Sequence, residues 1–283
     1  MSLIPAYKKG QALIAEMDTF HTGDESLRLW WLGQSGFLIQ YRGNRLLLDP
    51  YLSDSLTRKY AGTDKPHVRM SELVVDPDLL RDIDVVTSSH NHTDHLDAET
   101  LIPILKNNPG IHLIIPEANR SFAADRLKTK DTFPIGLNDG RSVSLSCFTF
   151  HGVPAKHNEI DRDEWGQCRY MGYIIQCGPY TIYHSGDTLW FDGMVDLLKP
   201  YHIDIALLPI NGDDPNRKVA GNLNTSEAAA LGKAIGAKYV IPCHYDLFEF
   251  NTADVGDFVV EAHQLDQQVI VLRLGEQWGM RKQ

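Results

Sequence analysis

Four side chains that commonly bind metal ions lie within six residues, directly after a short apolar stretch of the chain. They are His90, His92, Asp94 and His95. Imidazole nitrogens and carboxylate oxygens are good ligands for divalent zinc, manganese and iron. The spacing predicts that one ion takes the first two histidines and that a neighbouring ion takes Asp94 and His95. The alternative is a solvated histidine-rich turn, which so dense a group of ligand-type residues disfavours.

Two further ligand-type residues follow predicted strands later in the chain. Asp187 comes after a strand and Gly186, and a glycine lets the backbone pass close to a bound group. His244 follows another short apolar strand. Alone, Asp187 would be interpreted as a turn or helix-capping residue and His244 as a core histidine. Their joint occurrence with the first cluster predicts a site for two metal ions.

The order of these residues resembles the metallo-β-lactamase superfamily, from about Leu27 to Leu274. The resemblance implies an α+β fold, namely an αββα four-layer sandwich of two mixed β-sheets with helices on the outside. It also implies a dinuclear site in which Asp187 bridges the two ions and His244 completes the second one. The ligands implied by the family are His90, His92, Asp94, His95, His157, Asp187 and His244.

The middle ligand of that set has two candidates, His157 and His151. Residues 153–157 read Val-Pro-Ala-Lys-His and resemble the L-ascorbate-6-phosphate lactonase branch, which favours His157. N-acyl phosphatidylethanolamine phospholipase D is a more distant relative of that branch. Gln34 departs from the pattern, because many members of the branch carry histidine there. The strand-end position of Asp49 suggests that its carboxylate orients a metal-bound histidine by a hydrogen bond, and the alternative is a residue that starts an Asp-Pro turn.

The resemblance implies a hydrolase that uses a hydroxide bridging two divalent ions, Zn²⁺ or Mn²⁺, with Fe²⁺ as a third option. Asp94 would orient this hydroxide and carry a proton to the leaving group. The expected substrate is a small anionic molecule, most simply a lactone or ester. The alternatives are a phosphodiesterase of the same fold and a non-catalytic metal-binding or sensor protein.

Basic and aromatic residues near the predicted strand ends are weaker candidates for substrate contacts. Arg58 and Lys59 stand in a locally basic segment, residues 50–70, and Arg169 precedes a predicted strand. These cations could hold an anionic group, although a solvated loop is the plainer interpretation. Three aromatic residues could wall the pocket or simply pack in the core; they are Trp165, Trp190 and Phe191.

Composition limits the function further. The chain has 283 residues and a net charge of −10, which disfavours a broad nucleic-acid-binding surface or docking on anionic membranes. No stretch approaches the roughly 20 apolar residues of a membrane span. The four cysteines form no paired motif, so a reducing cytoplasm is expected. The simplest organisation is one hydrolase domain over 1–283, with a homo-oligomer as an option.

The elements that must position these residues follow from hydrophobic patterning. Three short strands are predicted over 27–48, then a long irregular loop over 50–75, then alternating strands and helices. A strand over 142–150 opens a set of antiparallel strands, and alternation returns after residue 190. The last predicted strand covers 269–272. This order suggests two sheets, each built from hairpins and βα units.

Overall fold

The computed structural model describes residues 2–19, 23–217, 219 and 221–282. Its first sheet has seven strands in the order β13-β1-β2-β3-β4-β5-β6. The pairs from β13 to β3 are antiparallel and those from β3 to β6 are parallel. Its strands are β1 (Leu27–Gly33), β2 (Gly36–Tyr41), β3 (Asn44–Leu48), β4 (Val85–Thr87), β5 (His112–Pro116), β6 (Ile135–Leu137) and β13 (Gln277–Met280).

The second sheet has six strands in the order β12-β11-β10-β9-β8-β7. Its β7–β10 part is antiparallel and its β10–β12 part is parallel. Its strands are β7 (Ser142–Leu145), β8 (Phe148–Pro154), β9 (Met171–Cys177), β10 (Tyr180–His184), β11 (Ile205–Pro209) and β12 (Tyr239–Cys243). The prediction of two mixed sheets in an α+β fold is therefore confirmed.

Helices lie against these sheets and connect the parallel strands. The α-helices are α1 (Gly10–Met17), α2 (Ser55–Tyr60), α3 (Ala98–Asn107), α4 (Arg120–Leu127), α5 (Met194–Leu198), α6 (Thr225–Ala234) and α7 (Val255–Gln264). Short 3-10 turns occur at Pro77–Leu79, Glu117–Asn119, Lys199–Tyr201 and Pro215–Arg217. Helix α4 packs on β5, and α6 packs on β11 and β12. Among the described residues, no helix is both long enough and apolar enough to cross a bilayer.

The core explains why the central strands are almost continuously apolar. Strands β2, β10 and β11 are buried at every position, as expected for strands covered on both faces. Large side chains such as Phe37, Phe150 and Tyr173 are fully buried in this core. Asp97 caps the N-terminus of helix α3, and its carboxylate accepts hydrogen bonds from the first-turn N–H groups of Glu99 and Thr100. The buried strands therefore form a rigid frame that fixes the positions of the loops at their ends.

The structure differs from the predicted elements in three places. Residues 269–272 form no strand; Val269 makes a single bridge to Val240, and the final strand is instead β13, which pairs with β1. The predicted strand over 142–150 is two strands, β7 and β8, joined by a turn in which Ser146 has a φ of 53°. Helix α2 lies inside the segment predicted to be an irregular loop. These elements depend on long-range pairing and on local turns that apolar patterning does not report.

Candidate metal centre

The predicted ligands converge because the strands that precede them end at one edge of the molecule. His90 follows β4, His157 follows β8, Asp187 follows β10 and His244 follows β12. The ends of parallel strands commonly form ligand sites in sheets of this kind. His244 has a φ of 62°, a conformation rarely adopted by residues other than glycine, asparagine and aspartate. Such a backbone at a strand end indicates a functional constraint.

Two overlapping groups of ligand atoms form one part of the site. His90, His95 and Asp187 place ligand atoms within 4.8 Å of one another, as do Asp94, His95 and His244. His95 Nε2 lies 3.3 Å from Asp187 Oδ1 and 3.7 Å from Asp94 Oδ2. His244 Nε2 lies 3.5 Å and 3.6 Å from the Oδ2 atoms of the same two aspartates. Two ligands of one tetrahedral zinc ion, each about 2.0–2.1 Å from it, would lie about 3.4 Å apart, so this spacing fits a shared ion.

A histidine group completes the site on its other side. The ring centroids of His90 and His92 are 4.6 Å apart, and those of His92 and His157 are 4.9 Å apart. His157 also stacks on Tyr170 at 5.0 Å. The other candidate, His151, lies elsewhere on β8, with its Nε2 3.1 Å from the side-chain oxygen of Gln176. The structure therefore brings His157, and not His151, to the cluster.

Unpartnered buried atoms supply an independent test of whether a metal ion fits. His90 Nε2, His95 Nε2 and Asp187 Oδ1 are all buried, and none has a hydrogen-bond partner among the described residues. A buried polar atom without a partner costs about 1–3 kcal/mol, so three at one point require an explanation. Nitrogen and carboxylate oxygen donors are the ligands that a divalent transition metal takes. The donor set therefore fits a metal centre.

Asp49 lies behind the metal-facing histidines and is fully buried. Its Oδ2 is 2.8 Å from His95 Nδ1, and it also accepts hydrogen bonds from the Ser89 hydroxyl and backbone N–H. The Thr87 hydroxyl donates to its Oδ1 at 3.0 Å. An acceptor on Nδ1 fixes the proton there and leaves the Nε2 lone pair of His95 directed at the cluster. Asp49 thus lies where the sequence analysis suggested, hydrogen-bonded to a histidine of the candidate metal site.

The electrostatics of the cluster favour a bound cation. Burial and the neighbouring His95 hold the pKa of His90 well below its ordinary value, which keeps its ring neutral. Burial opposes a charge on His95 and His244, but the carboxylates of Asp187 and Asp94 outweigh it. They raise the pKa of His95 well above its ordinary value and that of His244 to about 9. The two carboxylates therefore favour positive charge at this point: without an ion the two rings hold a second proton, and a divalent ion would take the place of the proton on Nε2.

Gln34 is a component of the site whose role the sequence left open. Its backbone has a φ of 51°, and its carbonyl accepts hydrogen bonds from the Trp31 indole and the His244 backbone N–H, both at 3.0 Å. Its side-chain Nε2 donates to Asp94 Oδ2 at 2.8 Å and lies 3.0 Å from His244 Nε2. The sequence signals were its place between Gly33 and Gly36, in the turn from β1 to β2, and the histidine that many members of the lactonase branch carry at this position. Gln34 therefore fixes one oxygen of Asp94.

A cavity of about 580 Å³ opens over the cluster and defines which side chains can meet a substrate. Of the three predicted cations, only Lys59 lines it. Arg58 is turned to Glu99, and Arg169 lies 3.6 Å from Asp161, so neither guanidinium reaches the cavity. The cationic residues that line the cavity are Lys59, Lys65 and Arg126.

The aromatic lining also differs from the sequence expectation. Trp165, Trp190 and Phe191 are absent from the cavity wall: Trp165 is 74% exposed and the other two pack against the main core. The aromatic residues that do line the cavity come from the segment around α2, from α4 and from the loop after β12. They are Tyr60, His67, Phe122, Phe248 and Phe250.

Comparison with known families agrees with this geometry. The family model of the beta-lactamase superfamily domain matches residues 28–244. The chain belongs to the metallo-β-lactamase superfamily. Relatives named UPF0173 metal-dependent hydrolase include one from Methanosphaerula palustris, 30% identical over 256 residues, covering 88% of this chain and 98% of the relative. One from Methanosarcina mazei is 29% identical over 255 residues, covering 88% and 97%. The protein is a metal-dependent hydrolase of this superfamily.

Solved structures show the same fold at low sequence identity. The metallo hydrolase Igni18 of Ignicoccus hospitalis has a TM-score of 0.67 at 22% identity, covering 91% of this chain and 100% of its own. An isothiocyanate hydrolase from Delia radicum gut bacteria has a TM-score of 0.71 at 19% identity, covering 89% and 98%. At these identities the likeness establishes the fold alone.

Proposed function

We propose that this hydrolase works with two divalent ions, Zn²⁺ or Mn²⁺ with Fe²⁺ as a third option, on a small anionic lactone or ester. The activity would resemble that of an L-ascorbate-6-phosphate lactonase. The observation that carries the proposal is the convergence of seven ligand-type side chains: five place their ligand atoms in two compact groups, and the rings of His92 and His157 pack beside them. Three of the seven offer buried atoms without a hydrogen-bond partner. The Val-Pro-Ala-Lys-His segment at 153–157 supports the lactonase comparison.

The ligands divide between the two proposed ions as follows. His90, His92 and His157, whose rings pack together, would hold one ion. Asp94, His95 and His244, whose ligand atoms form a compact group, would hold the other. Asp187 has one oxygen near His95 and the other near His244, which suits a bridging ligand.

The chain's own residues supply orientation and proton transfer. When bound, such ions act as Lewis acids and make water a stronger acid. Asp94 Oδ2 is fixed by Gln34, so the carboxylate keeps one orientation on the cavity floor. From there Asp94 can accept a proton from the attacking water and return it to the leaving oxygen. Cys243 adjoins a ligand but is buried, and burial raises the pKa of its thiol well above the ordinary value, so it is no nucleophile.

The charge of the cavity favours an anionic substrate. Lys59 is exposed and forms no ion pair with any residue that the structure describes. Lys65 and Arg126 line the same cavity. The acidic residues in this lining are Asp94 and Asp187, both proposed ligands whose charge the ions would neutralise. With two ions bound, the cavity is therefore a positive region of an otherwise acidic chain.

Activity assays with matched variants test this proposal. Protein loaded with zinc or with manganese is assayed on a set of lactones and on bis(4-nitrophenyl) phosphate. We expect metal-dependent lactone turnover that is lost in His157→Ala and kept in His151→Ala, a control histidine on β8 outside the cluster. Turnover of the phosphate diester alone would indicate the phosphodiesterase instead. Metal binding without turnover of either substrate would indicate a metal-binding or sensor protein.

The remaining sequence predictions stay proposals. We infer one hydrolase domain over residues 1–283 that acts in the cytoplasm, possessing four cysteines that are all free. No nucleic-acid or membrane partner is proposed, because the net charge of −10 disfavours both. Assembly into a homo-oligomer is a prediction from the resemblance to the lactonase branch.

A further inference from the structure

One wall of the cavity is a small apolar cluster that is separate from the main core. Tyr51, Leu56, Leu247 and Phe248 are buried in it, and Tyr60 and Phe250 pack against them. We call its aromatic residues that line the cavity, Tyr60, Phe248 and Phe250, together with the neighbouring His67, the aromatic wall. Apolar surface that is left inside a cavity beside convergent polar groups is the usual form of a ligand site.

The rings of the aromatic wall contact one another around His67. The His67 ring stacks on Tyr60, with centroids 4.3 Å apart and planes at 19°. It meets Phe250 at 4.6 Å and Phe248 at 5.0 Å, both edge to face. Its Nδ1 lies 3.0 Å from the Lys65 carbonyl oxygen, which fixes the ring. The wall is therefore an ordered set of aromatic faces and edges.

Backbone hydrogen bonds between two distant segments hold the wall together. The Met70 N–H donates to the Leu247 carbonyl at 2.8 Å, and the Glu249 N–H donates to the Val68 carbonyl at 3.1 Å. The segment around α2 and the loop after β12 therefore pair as a unit. A preformed surface of this kind binds a ligand without a cost for ordering loops.

We propose that the substrate of this hydrolase carries an aromatic ring on its acyl side, and that this ring packs on the aromatic wall while the scissile carbonyl lies at the metal cluster. The inference rests on the proposed function and adds the class of acyl group. Aromatic pairs gain stabilisation beyond the burial of apolar area, whereas a saturated ring gains from burial alone. The wall is built from aromatic rings, which favours an aromatic ligand over an aliphatic one.

The charges around the aromatic wall disfavour the main alternative ligand, a quaternary ammonium group. Aromatic cages also bind quaternary ammonium groups through cation–π contacts. Here the Lys65 ammonium lies 4.8 Å from the Phe250 ring centroid, and the Lys59 ammonium lies 5.1 Å from that of Tyr60. These two ammonium groups lie beside the wall and would repel a second cation. An aromatic ring attached to an anionic or neutral group fits the wall better.

Calorimetric binding of product-like carboxylates to the metal-loaded protein tests the inference. The probes are phenylacetate and 3-phenylpropionate, each compared with its cyclohexyl counterpart and with acetate. Burial of area alone would make the more apolar cyclohexyl compound bind at least as tightly. Stacking on the wall predicts that the phenyl compound of at least one pair binds about two- to tenfold more tightly than its partner.

Matched variants test whether the preference for phenyl compounds arises from the aromatic wall. Phe250→Leu should remove the phenyl preference, and Tyr60→Leu serves the same purpose if the first variant does not fold. Trp165→Leu, which removes an exposed aromatic side chain outside the cavity, should keep it. Equal binding of phenyl and cyclohexyl compounds to the unaltered protein would overturn the inference. So would a phenyl preference that survives in Phe250→Leu, or tighter binding of benzyltrimethylammonium than of phenylacetate.

Turnover separates this inference from the proposed function. Methyl phenylacetate and methyl cyclohexylacetate are assayed with the same metal-loaded protein. A phenyl preference in binding without hydrolysis of any ester or lactone would support the aromatic site and overturn the proposed activity. Metal-dependent hydrolysis without a phenyl preference in either binding or turnover would keep the proposed activity and overturn the aromatic site.

Discussion

Asp49→Asn tests whether the carboxylate behind the cluster controls metal binding. Asp49 accepts hydrogen bonds from His95 Nδ1, from the Ser89 hydroxyl and N–H and from the Thr87 hydroxyl. Asparagine has one acceptor oxygen and one amide donor, so one carboxylate position must become a donor. If this donor faces His95, the ring proton moves to Nε2, the atom that should bind the ion. If the new amide NH2 instead faces Thr87 and Ser89, its hydrogens point at the donor groups of those residues and two hydrogen bonds are lost.

The expected magnitude follows from the bond that is lost. A hydrogen bond to a charged group contributes about 1.5–3 kcal/mol, and loss of a partner behind a metal-bound histidine typically costs about 10- to 100-fold in affinity. We therefore expect metal affinity to fall about 10- to 100-fold, which corresponds to about 1.4–2.7 kcal/mol. Competition with a chromophoric chelator measures this, with zinc and manganese examined separately.

A buried aspartate far from the cluster provides the control. Asp204 accepts a hydrogen bond from the Thr181 N–H at 2.8 Å and pairs with Lys282 at 2.6 Å. Asp204→Asn removes another buried charge and should leave metal affinity unchanged while lowering the free energy of unfolding. Unaltered metal affinity in Asp49→Asn, or an equal loss in Asp204→Asn, would refute the assigned role of Asp49.

Three further outcomes are expected. Gln34→Ala frees Asp94 and should lower kcat about tenfold with little change in KM, as measured by steady-state kinetics; a change in KM alone would contradict this role. Gly221 has a φ of 83°, and an added Cβ would lie 2.0 Å from His157 Nδ1, so Gly221→Ala should reduce bound metal to about one ion per chain, as measured by elemental analysis. Removal of metal by a chelator should lower the free energy of unfolding by about 2.7 kcal/mol per site, or about 5.4 kcal/mol for the two proposed sites, relative to protein with free metal at 100 times its Kd. Thermal unfolding measures this, and an unchanged transition would contradict a metal bound only by the folded state.

The candidate ligands could be predicted from the sequence because they follow shortly after apolar strands. His90, Asp187 and His244 follow β4, β10 and β12, and the ends of neighbouring strands meet whatever the details of the loops. The choice of His157 over His151 came from a short motif, and the structure places His157 beside His92. Order along the chain, together with the family resemblance, therefore identified which residues come together.

Contacts between segments that are distant along the chain could not be predicted from the sequence. The aromatic wall depends on pairing between residues 67–70 and 247–251, which no local pattern reports. Strand β13 pairs with β1 from the opposite end of the chain, so its short mixed sequence gave no strand signal. Gln34 acquires its role only because the turn after β1 lies against His244. In each case the decisive information is a tertiary distance.

Metal stoichiometry tests the central claim most directly. The protein is stripped with a chelator, titrated with zinc or manganese, and measured by elemental analysis and calorimetry. The account predicts two bound ions per chain, about one in His157→Ala or His244→Ala, and two in His151→Ala. Binding of no ion, saturation at one ion in the unaltered protein, or two ions in His157→Ala and His244→Ala alike would contradict a two-ion centre built from these residues.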